Sequence, residues 1–505
     1  MKQKLFLGFL FCVLALTGTT ASAQSIDQVR IYINPGHGSW GPNNRHMPTI
    51  GHSTISNTNP DTTDFFESNT NLRKGFGLLE KLIEYGVPFD RSLNQTNSNP
   101  NRIGAALDLS QNLVMSHVKC GPYPYDSTDK GTNSDGTTYI KDDQNNDFNR
   151  RLSDIAAEVE QNNFDMFISI HSNATTGDWN VATHLNHCLY LYRGWDGDPY
   201  NPGSDEMAMA CWPHSMANLH MNFNWLNDPT RPRDKNANSP VSGQNYYPPG
   251  TDAAGNPYYI KGDVTFQYGY TDRNNYGGYT RYYGVLNHTV PGFLVEGYDH
   301  TYQPGRHRAM NWDVCRMEGI DYAKGINDYY GWGKADSYGY IYGIVRDHTV
   351  TMTDANYQVT MSTTIDANKW INPIDKCKPL NGVKISLYNS AGVEIDTYTT
   401  DDRWNGAYVF KGVAPGTYTL KHTHASYGIV EETVTVTANK TSYLNVDMSK
   451  AFVARQGHYA YGLTSSLSNG VYTLSFKSTG AMDNANIIFT NNSTRKNSPL
   501  RPVRL

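Results

Sequence analysis

From about Ile26 to Gly333, short apolar runs alternate with segments whose apolar residues recur every three or four positions. VRIYI (29–33) has the length and composition of a strand. SNTNLRKGFGLLEKLIEYG (68–86) carries Leu72, Phe76, Leu79 and Ile83 at helical spacing; Ser68 or Asn69 can cap its start and Gly86 can end it. VPFDRS (87–92) reads as a further strand. FNRRLSDIAAEVEQNN sets Leu152, Ile155, Ala156 and Val159 on one face and leads into DMFISIH, a buried-strand pattern ending at His171. VPGFLVE (290–296) is another buried strand, finishing at Glu296, and a helix over 306–329 closes the region. Such alternation predicts an α/β domain, placed at 24–333, with a largely parallel twisted sheet flanked by helices. Between Asn173 and Asn287 only HCLYLY (187–192) and a helix after Ser204 stand out. The remainder, including NYYPPGTDAAGNPYYIKGD, has the Gly, Pro, Asn and Tyr content of elaborated loops.

The pattern then changes. From 338 to 450 no helical spacing occurs, and VKISLYN, AYVFKGV, TYTLKHT and EETVTVT alternate between turn residues, which predicts a small all-β sandwich. Residues 451–505 contain VYTLSFK and NANIIFT and end in a basic tail: a short β-rich segment that either completes a sheet or stands as a separate module.

The first 23 residues form a different class of pattern. Lys2 and Lys4 precede an apolar run from Leu5 to about Leu16 and then Ala21-Ser22-Ala23, the order of a cleaved secretory signal, and the run is short for a membrane span. The chain is therefore expected to be exported, to the periplasm or beyond, and no later segment is apolar enough to span a membrane. A formal charge of −5 over 505 residues gives no polyanion-binding signal, so nucleic acid is not an expected partner. Past the leader five cysteines remain, Cys120, Cys188, Cys211, Cys315 and Cys377, at spacings that match neither a CxxC zinc site nor a disulfide scaffold. The acidic run DDQNND (142–147) lacks the ligand spacing and glycine of a calcium loop and reads as a solvated turn.

Chemistry gathers at strand ends. In an α/β sheet the loops at the carboxyl edge form the crevice where reactive groups collect. His37 and Glu296 stand at or just beyond two apolar runs, His171 ends a third, and Glu67 sits immediately before a helix. Two imidazoles and a carboxylate are the residue types that hold a catalytic zinc ion with one position left open, and a second carboxylate can move protons. Taken singly, a histidine in a turn bonds to backbone and a glutamate before a helix serves the dipole. The glycines flanking His37 would let the backbone turn sharply beside an ion.

INPGHG (33–38), ESNTNL (67–72), DMFISIHSNA (165–174) and VPGFLVEG (290–297) resemble, in order, the motifs of the zinc-dependent N-acetylmuramoyl-L-alanine amidases. The resemblance implies Zn2+ held by His37, Glu67 and His171, Glu296 as the catalytic carboxylate, and hydrolysis of the amide joining N-acetylmuramic acid to L-alanine in peptidoglycan. An activating protein partner acting on the enlarged loops is left open. The chain departs from the family pattern in a long insertion, GPNNRHMPTIGHSTISNTNPDTTDF, whose His46 and His52 are rival ligands, and in VEGYDHT after the last motif. Two other readings stand beside the amidase: a zinc peptidase cutting within the stem peptide, and a non-catalytic wall-binding protein. The stretch LNGVKISLYN…GTYTLKHT (380–423) is similar to carboxypeptidase regulatory-like, or prealbumin-like, domains, which imply no catalysis; Trp404 on its extended turn is a candidate sugar contact.

Overall fold

The computed structural model describes residues 24–37, 46–51, 65–92, 108–117, 130–132, 138–140, 152–174, 189–192, 203–204, 206–208, 210–211, 214–215, 250–251, 257–258, 284–359, 373–449, 453–454, 458–468 and 471–478. Residues 1–23, where the sequence predicts an export signal, lie outside them, as do the DDQNND run, His52, Cys120, Cys188, NANIIFT and most of 174–287. The described chain divides into two compact units, the first ending at Lys334 and the second beginning at Ala335.

The first unit is built on strand β1 (Ile31–Pro35), helix α1 (Glu67–Tyr85), β2 (Leu113–Met115), α2 (Leu152–Gln161), β3 (Met166–Asn173), β4 (Leu189–Tyr192), β5 (Gly292–Asp299), α3 (Gln303–Ala309) and α4 (Trp312–Tyr330). The five strands form one sheet in the order β2-β1-β3-β5-β4, parallel except for β4 at the edge. Period-two alternation sends successive residues to opposite faces, and both faces are covered. Ile31, Ile33, Ile168, Ile170, Phe293 and Val295 pack with Leu78, Leu79 and Leu82 of α1 and with Tyr322, Ala323 and Ile326 of α4. Tyr32, Phe167 and Leu294 pack on the other side with Ile155 and Val159 of α2. The chain leaves β1 toward β2 and leaves β3 toward the opposite edge, so the carboxyl ends of β1 and β3 bound the point where the winding reverses, the place at which such sheets open a crevice.

The structure corrects four local expectations. VPFDRS forms no strand: Pro88 removes a ladder donor, Asp90 accepts from the backbone N–H of Ser92 to make a turn, and β2 takes the edge instead. Helix α1 begins at Glu67, with Phe66 as its N-cap residue and no side-chain cap; neither Ser68 nor Asn69 fills that role, while Gly86 ends the helix in the left-handed conformation as expected. The strands carrying His171 and Glu296 continue past those residues to Asn173 and Asp299. The closing helix is two helices, because the Asn311 side chain accepts from the N–H groups of Asp313 and Val314 and starts α4 afresh.

In the second unit β6 (Gly339–Thr351), β7 (Lys384–Tyr388), β8 (Glu394–Thr399), β9 (Ala407–Val413), β10 (Gly416–His424) and β11 (Gly428–Val436) make two sheets. One is antiparallel in the order β8-β7-β10-β11; the other centres on β6, paired with β9 and with short strands at Cys377–Pro379, Thr441–Tyr443 and Val446–Asp447. Ile341, Val345, Ile385, Leu387, Phe410, Leu420 and Val436 fill the space between them, the arrangement of a small sandwich. Trp404 sits at φ 56°, its backbone N–H bonded to the Asn381 side chain and its ring under the Lys378 ammonium. A hairpin, β12 (His458–Ser468) and β13 (Val471–Ser478), follows. No helix among the described residues is long and apolar enough to cross a membrane.

Candidate metal centre

Three elements bring His37, Glu67 and His171 together, with one donor atom from each lying within 4.8 Å of the others. His37 follows β1 by two residues, Glu67 is the first residue of α1, and His171 is the sixth residue of β3, beside β1 in the sheet. Nε2 of His37 is 3.2 Å from Oε2 of Glu67, and Nδ1 of His171 is 3.5 Å from its Oε1. The two imidazoles meet edge to face with centroids 5.1 Å apart.

The backbone is shaped for this. His37 has φ 62°, a conformation that costs an L-residue about 1–2 kcal/mol and that persists where the surroundings fix it. Gly36 bonds through its N–H to the Ile170 carbonyl and through its own carbonyl to the Asn71 amide, so the turn is tied to both β3 and α1. Glu67 is almost wholly buried and is held in place: its Oε1 accepts from the Ser172 N–H at 2.9 Å and from Asn71 Nδ2 at 3.4 Å, and its Oε2 lies 3.8 Å from His300 Nδ1. Burial acts to raise its pKa, but His37, His171 and His300 outweigh burial and hold the carboxyl well below the usual range. Burial pushes His171 below the usual imidazole value, with His37 and Lys74 acting the same way and Glu67 opposing. A neutral imidazole and an ionised carboxylate are the states in which these groups bind a cation.

Glu296 lies on β5 directly in register with His171, half-buried, so the fourth expected residue shares the same sheet edge. Of the rival ligands, His46 contributes backbone to a two-residue strand with Met47.

Two histidines were missed, although each satisfies the rule that found His37. His117 stands two residues beyond β2 and His300 one residue beyond β5. Both are buried, and burial pushes each down to about 4, with His37 adding to the effect on His117. Ser172 Oγ lies 3.0 Å from Nδ1 of His300, and Phe65 packs on the ring, so His300 braces the backbone that binds Glu67. The departure noted in VEGYDHT was its signal.

Residues 375–449 match the carboxypeptidase regulatory-like domain. Among solved structures, the chain is similar to the N-acetylmuramoyl-L-alanine amidase AmiC2 of Nostoc punctiforme (14% identity over 60% of this chain and 96% of that one, TM-score 0.30). It is similar also to the N-acetylmuramoyl-L-alanine amidase from Clostridium difficile 630 (12%, 61% and 100%, TM-score 0.31). A third is the amidase Ami1 from Mycobacterium smegmatis (13%, 61% and 99%, TM-score 0.30). No curated protein sequence matches the chain.

Proposed function

We propose that the chain is a zinc-dependent N-acetylmuramoyl-L-alanine amidase, cleaving the amide between the lactyl group of N-acetylmuramic acid and L-alanine in peptidoglycan. The observation that carries the reading is the convergence of His37, Glu67 and His171 within 4.8 Å at the carboxyl edge of a parallel sheet. The donor set fits the ion: two imidazoles and one carboxylate match a catalytic zinc site, whereas magnesium and calcium favour all-oxygen surroundings. Bound there, zinc supplies a Lewis acid that polarises the scissile carbonyl and makes water more acidic.

The chain's own groups do the rest. His37 and His171 would hold the ion as neutral imidazoles, and Glu67 would add one negative charge on a carboxylate that Ser172 and Asn71 keep oriented. With only that one carboxylate against a divalent ion, the loaded site would stay net positive and would favour negative charge developing on the carbonyl oxygen. Glu296 takes the proton of the attacking water on its carboxylate and delivers it to the departing alanine nitrogen, which is a poor leaving group until protonated. The choice of this amide over others rests on the four motifs INPGHG, ESNTNL, DMFISIHSNA and VPGFLVEG. In this reading residues 1–23 direct export, 24–333 form the catalytic domain with enlarged loops, 338–450 the sandwich, and 451–505 a β-rich appendage.

The test is product analysis. Purified peptidoglycan digested by the zinc-loaded protein should yield new L-alanine amino termini without new reducing sugars. Amino termini from other stem residues would make it a peptidase, and no release of either by a zinc-binding protein would leave only wall binding.

A further inference from the structure

We propose that Lys74 and Glu318 form a buried ion pair that positions His171 and Glu296; the inference rests on the metal-centre reading above. Neither residue belongs to the donor set, and both are charged groups withdrawn from solvent: Lys74 has no exposed surface and Glu318 4%. Lys74 Nζ lies 2.8 Å from Glu318 Oε1, and Glu318 also accepts from the Tyr322 hydroxyl. The ammonium then reaches the sheet, with the His171 carbonyl 3.4 Å away and the Tyr298 ring centroid 4.4 Å away.

The place it reaches is where the ladder between β3 and β5 is broken. Glu296 pairs with His171 and Asp299 with Asn173, three steps along β5 against two along β3. The extra residue falls at Gly297–Tyr298, between the catalytic carboxylate and the end of the strand. A side chain on Gly297 would sit 2.0 Å from Glu318 Oε1 and 3.0 Å from Lys74 Nζ, so the pair occupies the room that the glycine leaves. Lys74 follows Glu67 by two helical turns on α1, and Glu318 lies on α4. One ion pair thus joins the helix carrying Glu67 to the strands carrying His171 and Glu296, at the bulge where ordinary strand pairing no longer fixes them. Buried pairs add little net stability over apolar residues of similar size, so a pair kept at this point is explained better by positioning than by stability.

The double variant Lys74→Met/Glu318→Leu removes both charges and keeps the volume. Its thermal midpoint, its zinc affinity by competition with a chromophoric chelator, and the imidazole NMR signals of His171 in the metal-free chain, assigned through His171→Gln, separate the possibilities. Positioning predicts a midpoint near that of the wild type, zinc affinity lower by about ten- to a hundredfold, and displaced His171 signals. A folded double variant with unchanged affinity and unmoved signals overturns the proposal. If the double variant does not fold, Glu318→Gln, which keeps an acceptor for Lys74 but not its countercharge, should displace the same signals, and unmoved signals there overturn it equally. Should the wild type take up no zinc, the metal-centre reading fails, and the His171 signals alone decide the positioning role.

Discussion

The imidazole of His171 lies against the Cα of Gly36, so close that a methyl group at that position would sit 2.1 Å from its Cε1 atom. The ring occupies the volume that any side chain at 36 would need, and the Gly36 carbonyl is tied to Asn71 on the helix that presents Glu67. Gly36→Ala should therefore rotate His171 out of the cluster while leaving the sheet intact. The expected result is zinc affinity reduced by at least about tenfold with little change in far-UV circular dichroism. Equal affinity in the alanine variant would show that the ring has another way to reach the ion.

Glu296 and His171 are register partners, and the proposed mechanism gives them different roles that substitution should part. Glu296→Ala is expected to retain stoichiometric zinc but lose about two to four orders of magnitude in turnover, the usual worth of a positioned acid–base group. His171→Ala should lose both zinc and turnover. Metal analysis alongside amide hydrolysis on peptidoglycan distinguishes them; full activity in the glutamate variant would remove Glu296 from the mechanism.

Acid should destabilise the metal-free chain well before ordinary carboxylates titrate. Burial holds His117 and His300 at about 4 and His307 at about 3, against an ordinary value of 6.5. Below pH 6.5 the unfolded chain takes up protons that the native state refuses, so unfolding free energy falls as pH drops from about 6.5 toward 4. His307 makes the cause visible: its Nε2 accepts from the Ile50 N–H, a bond that protonation abolishes. His422 in the second unit, at about 4, adds the same sign. Glu67, held below its ordinary value, extends the loss to lower pH. Urea midpoints measured with a chelator present should decline between pH 7 and 5, and a flat profile over that range would contradict the buried neutral state of these rings.

Asn311 divides the closing helical segment, and its cap is open to measurement. Asn311→Ala removes the acceptor of two N–H groups and should cost about 1 kcal/mol of stability. Asn311→Ser, which can still cap, should recover most of it. Denaturant titrations of the two variants give the comparison.

Much of the sheet could be read from the sequence because its strands are buried on both faces: the runs ending near Pro35, His171 and Glu296 have no polar side to disguise them. β2 escaped notice because three residues, Leu113–Met115, make too short a run to declare a period, whereas VPFDRS looked like a strand and was stopped by its proline. The break at Asn311 was hidden because a capping side chain, unlike a proline, leaves the apolar spacing on either side undisturbed. His37, Glu67 and His171 were found by motif and by their places at element ends. Lys74 and Glu318 lay beyond reach, since a lysine on an amphipathic helix reads as solvated, and only the packing of α4 against α1 reveals that this one is not.

Each candidate donor lies in, or within two residues of, an element of the sheet-and-helix frame, so the frame sets the distances between them. Closing a flexible connection becomes dearer by only about 0.6 kcal/mol each time its length doubles. On that count, added length between His37 and Glu67 would cost the fold little. Removing a single residue inside β3 would be a different matter, since it would turn His171 to the opposite side of the sheet and dismantle the site at one stroke.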